Sequence, residues 1–544
     1  MTKRWGIAVG VVSVMIAATG CSGSTASKGV VSTTTPPAAT SEASPATDGA
    51  GVTTPSGDSL PTTDGSVAPP VRVGGSLIVG LDSEPSTLDP AANSISLANG
   101  SVYAAVYEGL FTSTPGTPVV PLLAESMTES ADRLSWTLTL RSGVTFQDGT
   151  PFNAAAVKFN LERQKASPFN GPGLLPLQSV DVVDELTATL VLSEPWTAFP
   201  SVLSGINGQM ASPTAAADTA AFARSPVGTG PYKFVEWVAT DKVVLAKYDG
   251  YWGEPAPLDE LTFKFIPVEA ARVAAFEGGE IDAFTTITDS TAEQATANGS
   301  QVVSPPPTGY GFSYINVTKA PLDDVRVRRA MQLATDRDAI AGAYQGQGFA
   351  DSSFSPLFTN SPYWVPPDVQ PSFDPDGAKA LIADYGQPVK FTFKLLLGSQ
   401  EIEDAVRASI EYWNDAGMDV ELQIVPDLGT YITDVLTGNY DMLGFVGSSS
   451  GDPDTVFYNL LHTGGASNYG KYSNLEMDAA LELGRQSNDD AERKQAYATV
   501  QQLFRADLPI AVSSHGQIYI VASADVAPVE PAFFFPSSTI RRAG

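Results

Sequence analysis

The chain has 544 residues, with 60 acidic and 31 basic side chains and a formal charge of −29. That excess repels nucleic acid and anionic lipid surfaces, so neither is expected as a partner; it reads as the charge that keeps an exported protein soluble. One cysteine, Cys21, excludes an internal disulfide and a cysteine zinc cluster, and the only histidines, His462 and His515, lie far apart. No metal and no cofactor are therefore expected. An apolar fraction of 43% is enough for a sizeable core, and the length allows about three or four domain-sized units.

In chain order, Lys3 and Arg4 precede an apolar run from Trp5 to Thr19, which reads as a signal peptide over 1–20. Ala18-Thr19-Gly20-Cys21 resembles a bacterial lipobox, with Ala18 where that pattern usually carries Leu. The resemblance implies lipidation of Cys21 and anchoring on the outer face of the cell membrane, in the periplasm or cell-wall space. Residues 21–73 are rich in Ser, Thr, Pro, Ala and Gly and cannot bury enough apolar surface to offset their ordering entropy. They are expected to form a disordered linker.

The texture changes at Gly74. Strands are predicted over 76–81, 136–140, 233–237, 243–247, 261–266, 310–317, 391–397, 420–425 and 518–522, and at Met442–Phe445. Helices are predicted over 154–165, 269–277, 324–335, 336–345, 401–416, 478–485 and 491–506. Strands mixed with helices in no regular repeat indicate an α/β body of more than one lobe.

Several blocks in this body are similar to one known family. They are Leu123-Ala-Glu-Ser126 with Trp136-Thr-Leu-Thr-Leu-Arg-Ser-Gly-Val-Thr-Phe-Gln-Asp-Gly-Thr-Pro-Phe152, then Pro226-Val-Gly-Thr-Gly-Pro-Tyr-Lys-Phe234 and Tyr251-Trp-Gly253. Pro321-Leu-Asp-Asp-Val-Arg-Val-Arg-Arg-Ala330, Ala334-Thr-Asp-Arg-Asp-Ala-Ile340, Gly451-Asp-Pro-Asp454 and Asn468-Tyr-Gly-Lys-Tyr-Ser473 follow in the family's order. Together they resemble the family 5 bacterial extracellular solute-binding proteins, the peptide- and nickel-type binding components of ABC importers. The resemblance implies a two-lobed periplasmic-binding-protein-like fold, type II, cluster C, with an extra domain on lobe I. By analogy lobe I takes 74–106, 225–308 and 513–544, the extra domain 107–224, and lobe II 309–512. The hinge falls where 310–316 leaves lobe I and 513–515 returns. The partners it implies are a small-molecule or oligopeptide ligand held between the lobes and ABC permease subunits in the membrane, the chain itself being a monomer.

The same resemblance places the cleft loop of lobe II at Phe445, Gly447, Ser448 and Ser449. Peptide-binding members carry Trp where Phe445 stands and an acid that grips the α-ammonium where Ser449 stands. That acid is missing, and an ammonium buried without a carboxylate is costly, which argues against free peptides as ligand. Asp452 is assigned to capping the helix that follows rather than to replacing the acid. Ser83 and Glu84 in the first loop, Tyr107 at the start of the extra domain and Tyr310 on the crossing strand complete the candidate contacts. Trp136, Trp237, Trp252 and Trp413 read as core.

Three other readings compete. Gly447-Ser-Ser-Ser-Gly451 satisfies the G-x-S-x-G pattern of serine hydrolases, with Ser449 at the nucleophile position, but Gly451-Asp452-Pro453 postpone the helix that a nucleophile elbow requires. A metal role lacks clustered ligands, since Asp374-Pro-Asp376 completes no EF-hand loop. A transport-independent envelope regulator could use the same binding fold.

Overall fold

The computed structural model describes residues 71–92, 96–113, 117–305, 309–343, 355–367, 372–397, 400–448, 452–532 and 534–543. They belong to the second of two units in the chain, Val67–Gly544, so the expected signal peptide, Cys21 and residues 22–70 lie outside the described residues. Among the described residues no helix is long and apolar enough to cross a membrane.

Three sheets organise the chain. Their strands are β1 (Ser76–Leu81), β2 (Ala124–Glu129), β3 (Ser135–Leu140), β4 (Leu177–Val182), β5 (Thr187–Leu192), β6 (Tyr232–Val238), β7 (Lys242–Lys247) and β8 (Glu260–Phe265). After them come β9 (Ala283–Thr286), β10 (Gln301–Val303), β11 (Gly309–Ile315), β12 (Lys390–Leu396), β13 (Asp419–Val425), β14 (Met442–Ser448), β15 (Ile510–Gly516) and β16 (Tyr519–Ala522). A seven-stranded sheet runs β10-β16-β9-β1-β8-β7-β6, a five-stranded sheet β13-β12-β14-β11-β15, and a four-stranded sheet β2-β3-β5-β4. Each expected strand appears with its ends moved by no more than two residues, except the one expected at Met442–Phe445, which runs three residues further to Ser448.

The helices follow local chemistry. Helix α1 (Leu97–Val106) has no clear apolar periodicity and contains Asn99 and Gly100, yet a reciprocal box between Ser96 and Asn99 closes its first turn. Gly100 is needed there, because a Cβ would fall 2.1 Å from the Phe534 ring. Helix α2 (Ala154–Ala166) is capped by Asn153 and ends with Arg163 and Lys165 on the negative end of its dipole. Helix α3 (Pro453–Leu461) starts on Asp452, whose side chain accepts from the Asp454 N–H at 3.0 Å, as the capping assignment required. Helix α4 (Leu475–Gln486) begins earlier than its apolar pattern suggests, because Asn474 accepts from the N–H groups of Glu476 and Met477. Helix α5 (Asp490–Asp507) packs along α4.

The signature blocks turn out to be joints. Gln147, from the first block, donates to the carbonyls of Val106, Gly230 and Tyr232 at 3.1, 3.0 and 2.8 Å and accepts from the Gly228 N–H. Glu108 is buried and takes the Tyr251 hydroxyl and Trp252 indole N–H, both at 2.7 Å. Arg328 and Tyr472, from two later blocks, both converge on Asp507 at the end of α5. Trp413 is buried, while Trp136, Trp237 and Trp252 are half-buried against the cores.

Strand register shows which edges of the two larger sheets face each other. In the seven-stranded sheet β1 is parallel to β8 and β9, and Thr286 at the carboxyl end of β9 pairs with Tyr519 at the start of β16. In the five-stranded sheet β12 is parallel to β13 and β14. There Ser448 at the carboxyl end of β14 pairs with Gly309, which opens β11 and pairs in turn with Gly516. The chain crosses between the sheets at 304–308 and again at 517–518. Both sheets therefore turn the carboxyl ends of their parallel strands toward the same pair of crossing segments.

Candidate functional site

The carboxyl ends of parallel strands are where α/β sheets bind ligands, because the strands stop there and the loops are free to vary. Here two such edges meet at one place. The crossing segments that join them are tied side by side. Ser304 donates through Oγ to the Ile518 carbonyl at 2.6 Å, and Gln517 donates to the Pro305 carbonyl at 2.8 Å. Residues 306–308 lie outside the described residues.

On the five-stranded side, period-two alternation puts Tyr310, Phe312 and Tyr314 on one face of β11. Phe445, directly opposite Phe312 in register, packs on it with ring centroids 5.8 Å apart and on Tyr314 at 5.4 Å. Tyr310 is 3% exposed, and burial pushes its hydroxyl pKa up. Its ring lies across Gly447, where a Cβ would come 2.5 Å from Cζ, so only glycine admits this approach. Phe445, Gly447 and Tyr310 thus form one aromatic platform. Ser448 closes β14, and Ser449 lies outside the described residues. The strand ends at Ser448 and α3 starts at Pro453, with 449–452 between them, unlike the direct strand-to-helix turn of a nucleophile elbow.

On the seven-stranded side, Ser83 follows β1, is exposed and donates to Asp82 at 2.9 Å. Glu84 stands beside it but is committed: its two oxygens accept from the Trp237 indole at 2.7 Å and the Thr240 N–H at 3.1 Å. Tyr107 lies inside the first core, 3% exposed, its hydroxyl donating to the Leu88 carbonyl at 2.8 Å. The structure therefore gathers Phe445, Gly447 and Tyr310, leaves Ser83 open at the facing edge, and gives Glu84 and Tyr107 structural partners.

The sequence reading missed several residues at the same edges. Glu269 accepts from the hydroxyls of Thr286 and Thr288 at 2.6 and 2.7 Å. Burial acts to raise its carboxyl, but these hydroxyls, Thr291 and Arg272 hold it below the usual carboxylate value. Apolar Val268 and Ile287 follow β8 and β9, and Leu397 and Leu428 follow β12 and β13, all exposed. An exposed apolar residue just after a parallel strand was the available signal. Among the described residues no group of three or more His, Cys, Asp or Glu could hold a metal ion.

Comparison with known proteins fits this geometry. Residues 118–468 match the family model described as bacterial extracellular solute-binding proteins, family 5 Middle. The chain belongs to that family. It is 30% identical over 463 residues to the glutathione-binding protein GsiB of Pectobacterium atrosepticum, covering 81% of this chain and 89% of the relative. The binding protein DppA of Helicobacter pylori, solved with the peptide STSA, superposes with a TM-score of 0.76 at 24% identity over 87% of this chain and 99% of that one. AgaA of A. tumefaciens, solved with agropinic acid, gives a TM-score of 0.75 at 25% identity over 86% and 99%. This chain is a two-lobed bacterial extracellular solute-binding protein of family 5, and its relatives are binding proteins rather than enzymes.

Proposed function

We propose that this family 5 protein is anchored through a lipid on Cys21 and captures a small, polar, peptide-like solute of the glutathione class between its two larger sheets. The convergence of both sets of parallel-strand ends on one pair of crossing segments carries the reading, since a ligand there touches both halves and favours their closure. Phe445 and Gly447, backed by the buried Tyr310, would hold one side of the solute, with Ser448 and Ser449 next in sequence as further candidates, and Ser83 would meet the other. Glutathione as class is suggested by the likeness to GsiB. Serine rather than an acid at 449 disfavours linear peptides, whose α-ammonium has no carboxylate on its own carbon, whereas the α-ammonium of glutathione carries one beside it and depends less on a gripping acid.

Calorimetry with glutathione and a panel of di- and tripeptides tests this. Glutathione is expected to bind the unaltered protein more tightly than the linear peptides, and Ser449→Asp is expected to shift preference at least tenfold toward them. Tight binding of linear peptides with no response to glutathione would overturn the ligand class. For the anchor, Cys21→Ser is expected to release the protein from the membrane fraction into the medium. Retention of a processed Cys21→Ser chain in that fraction would sink the lipid reading.

A further inference from the structure

The segment that follows β5 of the four-stranded sheet meets helices α3 and α4 at a joint that uses none of the crossing-segment residues. No chain connection links the two sides directly, since the chain comes to residues 124–192 from β1 of the seven-stranded sheet and returns to that sheet at β6. At the centre of the joint the Trp196 indole donates to Asp454 Oδ2 at 2.7 Å. Arg485 donates to Asp454 Oδ1 and Oδ2 at 2.9 and 3.1 Å, and to Glu194 at 3.0 Å. Its guanidinium lies 3.2 Å over the Tyr458 ring. The Thr197 N–H donates to the Arg485 carbonyl at 3.0 Å, completing a two-sided contact. Asp454, Trp196 and Arg485 are 1, 2 and 4% exposed, so water is excluded and each bond is worth more than it would be at a surface.

This joint differs from a permanent interface in its chemistry. Trp196 and Phe199 belong to one apolar cluster, and Val456 and Phe457 to another; no apolar cluster of the described residues spans the two sides. What holds them is directional and polar, made of groups that water can satisfy on separation, as in interfaces that open. Beside it a hollow of about 280 Å³ is lined from both sides, by Gly173 and Ser193 on one and His462 and Gly465 on the other. Asp454 belongs to a signature block, yet its carboxylate is turned to this joint and not to the ligand edge.

We propose that Trp196, Asp454 and Arg485 form a clasp that sets how strongly the closed form is favoured, making them positioning residues that tune ligand affinity without touching ligand. The inference rests on the reading of a solute held between the two larger sheets. If only the closed form binds tightly, the apparent Kd equals the intrinsic value divided by the closed fraction, so loosening the clasp weakens binding by the factor by which that fraction falls.

Trp196→Phe tests it, because the phenyl ring keeps the packing on Phe199 (ring centroids 5.0 Å apart for the indole) while the N–H donor is lost. Energy transfer between dyes at the exposed positions Asp181 and Leu475 of the full chain reports the opening. Without ligand, the variant is expected to shift about tenfold toward the open form, as loss of a hydrogen bond to a charged group implies. Its Kd for glutathione, or for the tightest peptide of the panel, is expected to rise in proportion to the loss of closed form. An unchanged open fraction and unchanged Kd overturn the clasp while leaving the cleft reading intact. If no probe changes the transfer in the unaltered protein, closure itself fails and the clasp fails with it. Should Trp196→Phe melt early, Thr197→Val serves instead, removing the hydroxyl that donates to the Ser487 carbonyl at 2.9 Å, with the same expected signs.

Discussion

The seven-stranded and five-stranded sheets are built by different means. In the first, Leu77, Val79 and Leu81 on β1 and Leu261 and Phe263 on β8 are fully buried, and the apolar cluster around them includes Val102 and Phe535. β1 lies between two parallel partners and reads as an almost continuous apolar run, as strands covered on both faces do. Its ion pairs, Arg542 to Asp282 at 2.6 Å, Lys242 to Glu236 at 3.1 Å and Lys264 to Glu280 at 3.6 Å, sit at exposed or partly exposed positions. The second sheet carries charge inside. Lys394 in the middle of β12 donates to Asp434 at 2.7 Å and to the Asn439 carbonyl at 2.6 Å, with both charged side chains 10% exposed. Among the helices of the same region, Arg493 holds Asp452 at 2.8 Å.

Apolar packing fixes volume but only loosely fixes angle, whereas a buried hydrogen-bonded ion pair fixes both. The Lys394–Asp434 pair pins the helix Leu428–Thr437 to its sheet, and that helix places the Tyr431 hydroxyl on the Gly444 carbonyl of β14. β14 is the strand that carries Phe445 and Gly447. Directional contacts therefore stand directly behind the aromatic platform, whereas the core around β1 and β8 is apolar, with Arg272 as its buried charge against Gly80.

The largest expected effect separates the two designs. Asp434→Ala leaves Lys394 buried without its carboxylate and is expected to cost about 3–5 kcal/mol in urea unfolding. Replacing both partners, Lys394→Met with Asp434→Leu, is expected to recover most of that loss, since a well-packed apolar pair is often no worse than the ion pair. In the other sheet, Leu77→Met is expected to cost less than about 1.5 kcal/mol. Equal costs for Asp434→Ala and Leu77→Met would erase the distinction. Recovered stability together with weakened glutathione binding in the double variant would sharpen it, by showing that the pair serves the platform's geometry.

Much of this was legible in the sequence where patterning is local. The strands at 76–81 and 391–397 and the helix at 269–277 follow from alternation and periodicity, and the family blocks gave the two-lobed architecture. What stayed hidden was long-range. Strands such as β9, Ala283–Thr286, are too short and too rich in threonine to stand out, and α1 has a glycine that only the distant Phe534 explains. At the site, Phe445, Gly447 and Tyr310 were read together and stand together. Glu84 and Tyr107 carry the polar and aromatic groups expected of ligand contacts, but Trp237, Thr240 and Leu88 engage them from outside their own segments. Asp454 is the converse case: its motif was visible, while its partners Trp196 and Arg485 lie 258 and 31 residues away.

The smallest effect concerns acid. Burial alone would raise the Asp434 carboxyl, but Lys394 and Asn439 outweigh it and hold its pKa below the ordinary carboxylate value. The ionised form is thus favoured by folding, so the stabilisation is complete above the unfolded value near 4 and is lost as pH falls through the lower folded one. Asp452 has the opposite sign: burial, with Asp454 nearby, raises its carboxyl more than Arg493 lowers it, so its protonation as pH falls favours the fold. Asp434→Asn removes one titration and keeps the shape. Compared with the unaltered protein, it is expected to be less stable at pH 7, with the difference shrinking as pH falls from 5 to 3 and the carboxylate takes up its proton. Urea unfolding at a series of pH values measures that difference directly. A gap that stays constant from pH 7 to 3 would mean that the Lys394–Asp434 contact stabilises as a hydrogen bond and not through its charge, and the five-stranded sheet would then differ from its partner in polarity alone.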